Sequence, residues 1–287
     1  MLLELAIGDA YGAGFEFAPE QTIELYNNLH GYLKHPFHDI SPGCYTDDTQ
    51  MSLAIAEAIV SQEAWTPELL ARKFIAAFHR DRRLGYSRKF YNFLLQVQDE
   101  TEFLAKINSA SDRSGAAMRA TPIGIFPSIE KVIENATIQA AITHNTADGI
   151  NAARAAALMS HYFIYQLGFK QDLGNFLETH IAGQWSIPWQ GKVTLTGVVC
   201  VRAAITAVMR NDSMSQLLKD CIAFSGDVDT VATIALAAGS CSSEIAQDIP
   251  DNLVQGLENL YYGRDYIREL DQKLMNYMVK SSDRKKC

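Results

Sequence analysis

The sequence predicts an all-α protein of one domain, and three observations carry that prediction. Apolar residues recur with the period of a helix over most of the chain, as in the stripe formed by Met51, Ile55 and Ile59. Alternating, strand-like runs are short and rare, and 192–195 is the best of them. No fixed-period repeat or low-complexity linker divides the 287 residues, a length that suits one large domain.

Capping signals mark the starts of several helices. Thr66 is a predicted N-cap, Pro67 occupies the first helical position and Glu68 lies in the first turn, so this helix covers 69–79. The other predicted helices begin near Thr46 and cover 87–98, 128–143, 147–167, 173–181, 196–211, 214–224, 229–238, and a region from about 252 that breaks at Gly263 and resumes over 264–279.

The predicted domain spans residues 1–280. Its longest loop covers about 25–44, where glycines and prolines interrupt any periodicity. Residues 281–287 are mostly polar and are predicted to form a frayed tail.

The charge balance disfavours one class of partner. The chain has 25 Lys and Arg against 33 Asp and Glu, a formal net charge of −8. A protein whose main partner is nucleic acid needs a basic surface, so no nucleic-acid partner is predicted. A small anionic ligand is compatible with this charge, because backbone N–H groups or a local basic pocket can bind it on an acidic body.

Neither a membrane span nor a secretion signal is predicted. The most apolar stretches, 150–167 and 196–209, are interrupted by Arg154 and Arg202. The opening residues lack a basic segment and carry Asp9 within their apolar run. The five cysteines lie far apart without any CxxC pair, which is typical of reduced thiols in a cytoplasmic protein. We also expect a monomer.

Two acidic clusters open helices, and the first is Thr46-Asp47-Asp48-Thr49. Taken alone, this cluster is a helix cap. Threonine is a preferred N-cap residue, and acids in the first turn interact favourably with the positive end of the helix dipole.

The second acidic cluster, Asp227-Val228-Asp229-Thr230, precedes an apolar helix, and capping again accounts for it. Carboxylate and hydroxyl oxygens are also the ligands that Mg²⁺ and Mn²⁺ select. Four carboxylates brought together without a cation would repel one another and raise their pKa values. A metal centre is therefore the simpler interpretation if the two helix starts face each other in the fold.

A third cluster is a turn of small residues, Ser114 to Ala117, that leads into Met118 and Arg119. Free N–H groups at such a turn can bind a phosphate. Alone, the pattern favours an ordinary junction between a loop and a helix.

Together and in this order, the clusters resemble the ADP-ribosylglycohydrolase family over about residues 4–262. The specific part of the resemblance is a TDDT helix start and a GDxDT helix start with a GAAMR turn between them. The matching segments are Gly8-Asp9-Ala10-Tyr11-Gly12 with Glu16, Tyr45 to Met51, Gly115 to Arg119, Ile142-Thr143-His144, and Gly226 to Thr230.

The resemblance implies an orthogonal helical bundle with a cleft that holds two Mg²⁺ or Mn²⁺ ions. Glu16 matches a family acid near the metals. The loop that holds the diphosphate of ADP-ribose is matched by Ser114, Gly115 and Met118, and His144 matches a position that lines the same pocket. The metal ligands that the resemblance implies are Thr46, Asp47, Asp48, Asp227, Asp229 and Thr230.

The implied activity is cleavage of the bond between a protein side chain and the distal ribose, with an ADP-ribosylated protein as substrate and ADP-ribose as product. Departure of the side chain gives the ribose oxocarbenium character, which nearby carboxylates stabilise. Metals can orient ribose hydroxyls and lower the pKa of a bound water. The base that deprotonates this water would be Asp47, Asp48 or Glu16, and the residue types do not decide among them.

The linkage is predicted from a looser similarity. Segments 188–191 and 211–213, with the helix between them, resemble the bacterial dinitrogenase-reductase-activating branch of the family, which acts on arginine. Arginine is therefore the predicted linkage. The alternatives are a hydrolase of serine-linked or other O-linked ADP-ribose and a non-catalytic ADP-ribose binder. The complete set of ligand-type residues argues against the binder.

Two positions depart from the family pattern. Ser225 stands where many members have glycine, and a serine held there at positive φ is strained by about 1 kcal/mol. Thr146 stands where many members have a second histidine. Both changes lie outside the implied metal ligands and bear on substrate fit.

Overall fold

The computed structural model describes the backbone of residues 1–283 and the side chains of residues 1–278. In that part of the chain the regular structure is helical, and the only β contacts are isolated bridges, which confirms the all-α prediction. Short 3₁₀ turns cover Ser114–Ala116, Thr121–Ile125 and Lys170–Asp172. The α-helices are α1 (Leu2–Ala13), α2 (Glu20–Tyr26), α3 (Asp47–Ser61), α4 (Pro67–Arg80), α5 (Arg88–Gln96), α6 (Glu100–Lys106), α7 (Ile129–Thr143), α8 (Ala147–Ile164), α9 (Leu173–His180), α10 (Gly197–Arg210), α11 (Met214–Ala223), α12 (Val228–Gly239), α13 (Asp251–Gly256) and α14 (Arg264–Asp283).

α1 and α12 pack against each other inside the bundle. Every residue of α12 is buried, as is the part of α1 from Leu5 to Ala13. The two backbones approach closely because glycines of α1 face α12, and a β-carbon on Gly12 would collide with the backbone of Asp229. This packing brings the end of α1 next to the start of α12.

The start of α3 also lies against α1. This helix packs on α1, α4 and α14, whereas α8, α10 and α11 surround α12. The buried apolar core includes Leu5, Ile55, Leu158 and Ile234. The starts of α3 and α12 therefore both lie against the second half of α1, on a rigid and well-packed base.

The predicted N-caps are confirmed. The hydroxyl oxygen of Thr46 accepts a hydrogen bond from the N–H of Asp48 at 3.2 Å, and that of Thr66 accepts one from Leu69 at 3.3 Å. Each cap satisfies an N–H group that has no partner within its helix.

Two short helices, α2 and α6, are not predicted by the sequence pattern. Each buries one side chain, Ile23 and Phe103 respectively, so neither has an apolar stripe with a readable period. The helix predicted from about 252 is present as α13, which ends at Gly256, before the expected break at Gly263. The strand-like run at 192–195 forms no strand, and Val193 makes only an isolated bridge with Gly226.

The last helix continues to Asp283, beyond its predicted end at 279. The first three residues of the predicted tail, 281–283, are thus helical, and 284–287 lie outside the described residues. None of the helices within residues 1–283 combines the length and the apolar character that crossing a bilayer demands.

Candidate metal centre

The acidic starts of α3 and α12 face each other. One carboxylate oxygen from each of Glu16, Asp227 and Asp229 lies within 4.8 Å of the other two. Asp47 and Asp48 belong to the same cluster, since the charge of Asp227 acts on both of their carboxylates. Because the two helix starts face each other, a metal centre is favoured over simple capping.

Burial and mutual repulsion disfavour the charged forms of these acids. Burial is the largest cause and repulsion from neighbouring carboxylates adds to it, so the pKa values of Asp47, Asp48 and Asp229 lie well above the usual range. Burial, and then the charge of Glu16, raises the pKa of Asp227 to about 6. A divalent cation would stabilise the ionised form of such a cluster.

Two buried oxygens of the cluster, Oδ2 of Asp48 and Oδ1 of Asp229, have no hydrogen-bond partner. The two residues are only 4% and 6% exposed, so these oxygens are shielded from bulk water. A buried polar atom in this state is unfavourable unless something binds it. Carboxylates with the hydroxyls of Thr46 and Thr230 form the all-oxygen donor set that suits Mg²⁺ or Mn²⁺. The residues present fit a divalent metal.

Asp9 holds the start of α3 in place. Its Oδ2 accepts hydrogen bonds from the N–H groups of Thr46 and Thr49, both at 2.9 Å, and from the Thr49 hydroxyl at 2.5 Å. Its Oδ1 accepts from the Thr46 hydroxyl at 2.8 Å. Asp9 lies in the motif from Gly8 to Gly12, but its residue type and position alone predict no role for it. The pattern that indicates a role for Asp9 is a charged residue inside an otherwise apolar helix, and the structure buries this residue fully.

Glu16 is held by a histidine that the sequence analysis missed. Nδ1 of His35 accepts hydrogen bonds from the N–H groups of Phe37 and His38, at 3.0 and 3.2 Å. The ring proton is therefore on Nε2, which donates to Oε2 of Glu16 at 2.6 Å. His35 lies in the long irregular segment before α3, where no periodic pattern points to it.

The turn before Asp227 has left-handed backbone at two successive residues. Ser225 has φ +61° and Gly226 has φ +96°, so the serine occupies a conformation that favours glycine. The N–H of Val193 donates to Ser225 O at 2.9 Å, and the N–H of Phe17 donates to Gly226 O at 2.9 Å. A β-carbon on Gly226 would collide with the carbonyl of Val193, so only glycine fits there.

The 3₁₀ turn that begins at Ser114 is joined directly to this cluster. The Ser114 hydroxyl donates to Oδ2 of Asp227 at 3.1 Å, and the thiol of Cys200 lies 3.2 Å from the same oxygen. The N–H of Ser114 donates to Leu195 O at 3.0 Å. The predicted phosphate loop and the predicted metal ligands are thus parts of one hydrogen-bonded assembly.

His144 packs against the next residue of this turn. A β-carbon on Gly115 would lie 3.0 Å from Cε1 and 3.2 Å from Nε2 of His144. Nδ1 of His144 lies 2.7 Å from Oγ1 of Thr143, which also accepts a hydrogen bond from Arg119 at 2.7 Å. Burial, and then the positive charge of Arg119, lowers the pKa of His144 to about 3, so its ring is neutral at physiological pH.

Met118 and Arg119 close the turn inside the core. Met118 is 5% exposed, and its carbonyl accepts a hydrogen bond from Ser52 of α3 at 3.2 Å. The Arg119 guanidinium is buried, donates to Oε1 of Gln139 at 2.8 Å, and lies over the Phe74 ring. Burial lowers the pKa of Arg119 to about 9, which leaves it charged at neutral pH. The turn is therefore fixed at both ends.

The family model of the ADP-ribosylglycohydrolases matches residues 1–284. The chain belongs to the ADP-ribosylglycohydrolase family. This confirms the resemblance read from the motifs, and the family consists of hydrolases that act on ADP-ribose linkages.

Individual members of the ADP-ribosylglycohydrolase family are distant from this chain. The ADP-ribosyl-dinitrogen reductase glycohydrolase of Rhodospirillum rubrum is 24% identical, with 95% of this chain and 93% of that protein covered. An ADP-ribosylarginine hydrolase of Serratia proteamaculans is 24% identical, with 88% and 74% covered. A solved structure described as an ADP-ribosylglycohydrolase-related protein complex is 19% identical and has a TM-score of 0.75 over 96% of each chain, which confirms the fold.

Proposed function

We propose that this ADP-ribosylglycohydrolase depends on a divalent metal and removes ADP-ribose from arginine side chains of modified proteins. The observation that carries the proposal is the pair of unpartnered, buried oxygens of Asp48 and Asp229, in a cluster linked through Asp227 to the Ser114 turn. Similarity to the ADP-ribosylarginine hydrolase of Serratia proteamaculans supports arginine as the linkage.

The metal ligands in this proposal come from both helix starts. Asp9 and the Thr46 cap orient one set, and the Ser225-Gly226 turn orients the other. When bound, Mg²⁺ or Mn²⁺ supplies positive charge that orients ribose hydroxyls and makes a bound water more acidic. The proposed ligands are Thr46, Asp47, Asp48, Asp227, Asp229 and Thr230.

The substrate is proposed to lie along the Ser114–Ala116 turn, with its diphosphate against the backbone of Gly115 and its path bounded by the His144 ring. The N–H of Met118 already donates to Ser114 O at 3.0 Å, so Met118 supplies no donor to the diphosphate. A neutral His144 can donate one hydrogen bond without adding charge. The distal ribose would then reach the carboxylates beyond Ser114.

We propose that Glu16 is the general base. Its Oε2 accepts from His35, and its side chain keeps 18% exposure, so Oε1 can receive a proton from a water. As that water bonds to the anomeric carbon, the bond from this carbon to the arginine nitrogen breaks. The departing guanidine keeps the bonding electrons and takes up the proton that Glu16 received from the water, and the nearby carboxylates stabilise the oxocarbenium character of the ribose.

The cellular setting is also part of the proposal. The dispersed cysteines support action in the cytoplasm, and we propose a monomer that acts on a protein substrate without binding nucleic acid.

The test is release of ADP-ribose from peptides modified on arginine or on serine, with Mg²⁺, with Mn²⁺ and with a chelator. We expect metal-dependent release from the arginine peptide and about a 100-fold loss in Asp48→Asn and Asp229→Asn. Asp251→Asn is the matched control, because Asp251 is an exposed first-turn acid of α13 and lies outside the cluster.

Release that survives chelation would contradict the metal dependence. Release from the serine peptide alone would show that the protein cleaves ADP-ribose from serine and not from arginine. Binding of ADP-ribose without release from either peptide would indicate a non-catalytic binder.

A further inference from the structure

A cavity of about 1180 Å³ borders the acidic cluster on the side of α2. Two residues that line it lead directly into the cluster. Phe17 follows Glu16 in the chain, and Ser225 stands shortly before Asp227. The N–H of Phe17 donates to Gly226 O at 2.9 Å, which holds these two segments together. The proposed function uses the cluster and the diphosphate-binding turn, but it gives this cavity no role.

A short irregular segment connects the cavity with the turn proposed to hold the diphosphate. Lys192, at one end of the segment, lines the cavity. The next carbonyl, Val193 O, accepts a hydrogen bond from the N–H of Asp227 at 3.3 Å. At the other end, Leu195 O accepts one from the N–H of Ser114 at 3.0 Å. Asp227 therefore lies between the cavity and the turn. A substrate with its diphosphate at the turn and its distal ribose at the carboxylates would direct the modified arginine toward the cavity.

The walls of the cavity are largely apolar. The side chain of Phe37 is 68% exposed, and those of Phe17 and Phe224 are half-buried. Ile23 of α2 also lines the cavity. Ligand sites are typically concave and lined by aromatic and aliphatic side chains, whose burial by a partner is favourable. The cavity is thus suited to an apolar side chain of another molecule.

The charged residues of the cavity are mostly acidic. Glu20 and Glu24 line it one helical turn apart on α2. Both are exposed, and neither forms an ion pair or a side-chain hydrogen bond with any residue that the structure describes. Among the described residues that line the cavity, Lys192 is the only basic one, and its ammonium lies 5.5 Å from the centre of the Phe17 ring. The excess of negative charge favours a cationic partner.

We propose that this cavity binds the polypeptide that carries the modified arginine, and that it favours a segment with lysine or arginine beside an apolar residue. The inference rests on the proposed function, to which it adds a preference among protein substrates. An apolar side chain of the substrate packs against Phe37 and Phe224, and a basic one lies near Glu20 and Glu24. An exposed charge pair changes affinity only a few-fold, so two such pairs give a preference of about 10-fold.

The test measures kcat/KM of the full chain with Mn²⁺ on three substrates. The first is a peptide in which lysines and a leucine flank ADP-ribosylarginine, and the second has glutamates in place of the lysines. The third is ADP-ribosylarginine without a peptide, which reports on the site alone. We expect kcat/KM for the basic peptide to exceed that for the acidic peptide by about 10-fold at low salt. High salt should bring this ratio toward one, because exposed charges are screened.

Removal of either acid should reduce the same ratio. Glu20→Gln and Glu24→Gln should each lower it by about threefold, since each removes one charge and keeps the shape of the side chain. Glu68→Gln is the matched control, because Glu68 is an exposed first-turn acid of α4 and does not line the cavity. Its ratio should equal that of the unchanged protein.

The apolar contact is tested by a double-mutant cycle between substrate and protein. Serine in place of the leucine should raise KM of the basic peptide by about fivefold with the unchanged protein, and by less than about twofold with Phe37→Ala. The cycle cancels any effect that Phe37→Ala has on Glu16 through its neighbour His35.

Equal kcat/KM for the basic and acidic peptides would overturn the proposal, as would a leucine effect that Phe37→Ala leaves unchanged. A fall of the ratio in Glu68→Gln as large as that in Glu24→Gln would also overturn it. Failure to release ADP-ribose from all three substrates would overturn the proposed function itself. Release from ADP-ribosylarginine without a preference between the peptides overturns this inference alone, so the two failures are distinguishable.

Discussion

Gly85 lies directly against Asp47. A β-carbon at position 85 would collide with Oδ1 of Asp47 and would lie 2.9 Å from Cβ of Thr46. Gly85 also has φ +111°, which residues with a side chain rarely adopt. The segment between α4 and α5 thus supports the acidic start of α3 by having no side chain at this point.

Gly85→Ala should therefore affect both stability and activity. The positive φ alone should lower the free energy of unfolding by about 1–2 kcal/mol, and the displaced carboxylate should lower kcat/KM by about 10-fold or more. Gly191→Ala is the matched control, since Gly191 has φ +94° but no atom near its would-be β-carbon. Urea unfolding and ADP-ribose release measure the two effects. Equal losses of activity in both variants would contradict the role of the Asp47 contact.

Ser225→Gly should stabilise the protein. Serine at φ +61° is strained and glycine is not, so the free energy of unfolding should rise by about 1 kcal/mol or slightly less. Gln62→Gly offers a comparison at φ +57° beyond the end of α3, away from the acidic cluster. Urea titration gives both values. A less stable Ser225→Gly would mean that the serine side chain contributes more than its backbone strain removes.

His35→Ala should slow hydrolysis. Without the hydrogen bond from Nε2, the proposed base Glu16 is no longer held in place, and we expect kcat for ADP-ribose release to fall by about 10-fold. His30→Ala changes an exposed histidine of the same loop and should leave kcat unchanged. Equal kcat values for the two variants would show that His35 does not position Glu16.

The neutral state of His144 should make stability depend on pH. Its pKa is about 3 in the folded protein, against an ordinary value near 6.5 in the unfolded chain. The unfolded chain therefore binds one more proton below pH 6.5, and stability falls as the pH falls, by about 1.4 kcal/mol per pH unit.

The measurement is urea unfolding between pH 5 and 7 for the unchanged protein and for His144→Asn. Asparagine cannot be protonated in this range, so the stability advantage of the histidine should be full above pH 6.5 and shrink below it. A difference that stays constant over this range would show that folding does not lower the pKa of His144.

The sequence predicted the elements that have local signals. Thr46 and Thr66 cap their helices as expected, because an N-cap bonds only to residues two or three positions away. The two metal-type clusters were recognised by residue type and order, but their meeting in space depends on how α3 and α12 pack against α1. Only the family resemblance could suggest it.

The residues that were missed act over long separations or without a pattern. Asp9 contacts Thr46 and Thr49 of another helix, and His35 reaches Glu16 from an irregular segment. Ser114 was identified as a phosphate contact from the resemblance, but its hydroxyl is directed at Asp227, more than a hundred residues away. Such pairings depend on tertiary packing, which propensity and periodicity do not encode.

The packing of α1 on α12 also has a consequence for how the protein is made. The acids of the site come from the first sixteen residues, from the start of α3 and from the start of α12. As the chain leaves the ribosome, its opening helix must wait for more than two hundred further residues before its partner exists. The packing of the two helices closes a loop of that length, so the site cannot form before α12 has been synthesised. A chain that stops short of α12 has no active centre, and a newly made molecule cannot act on a substrate before it is whole.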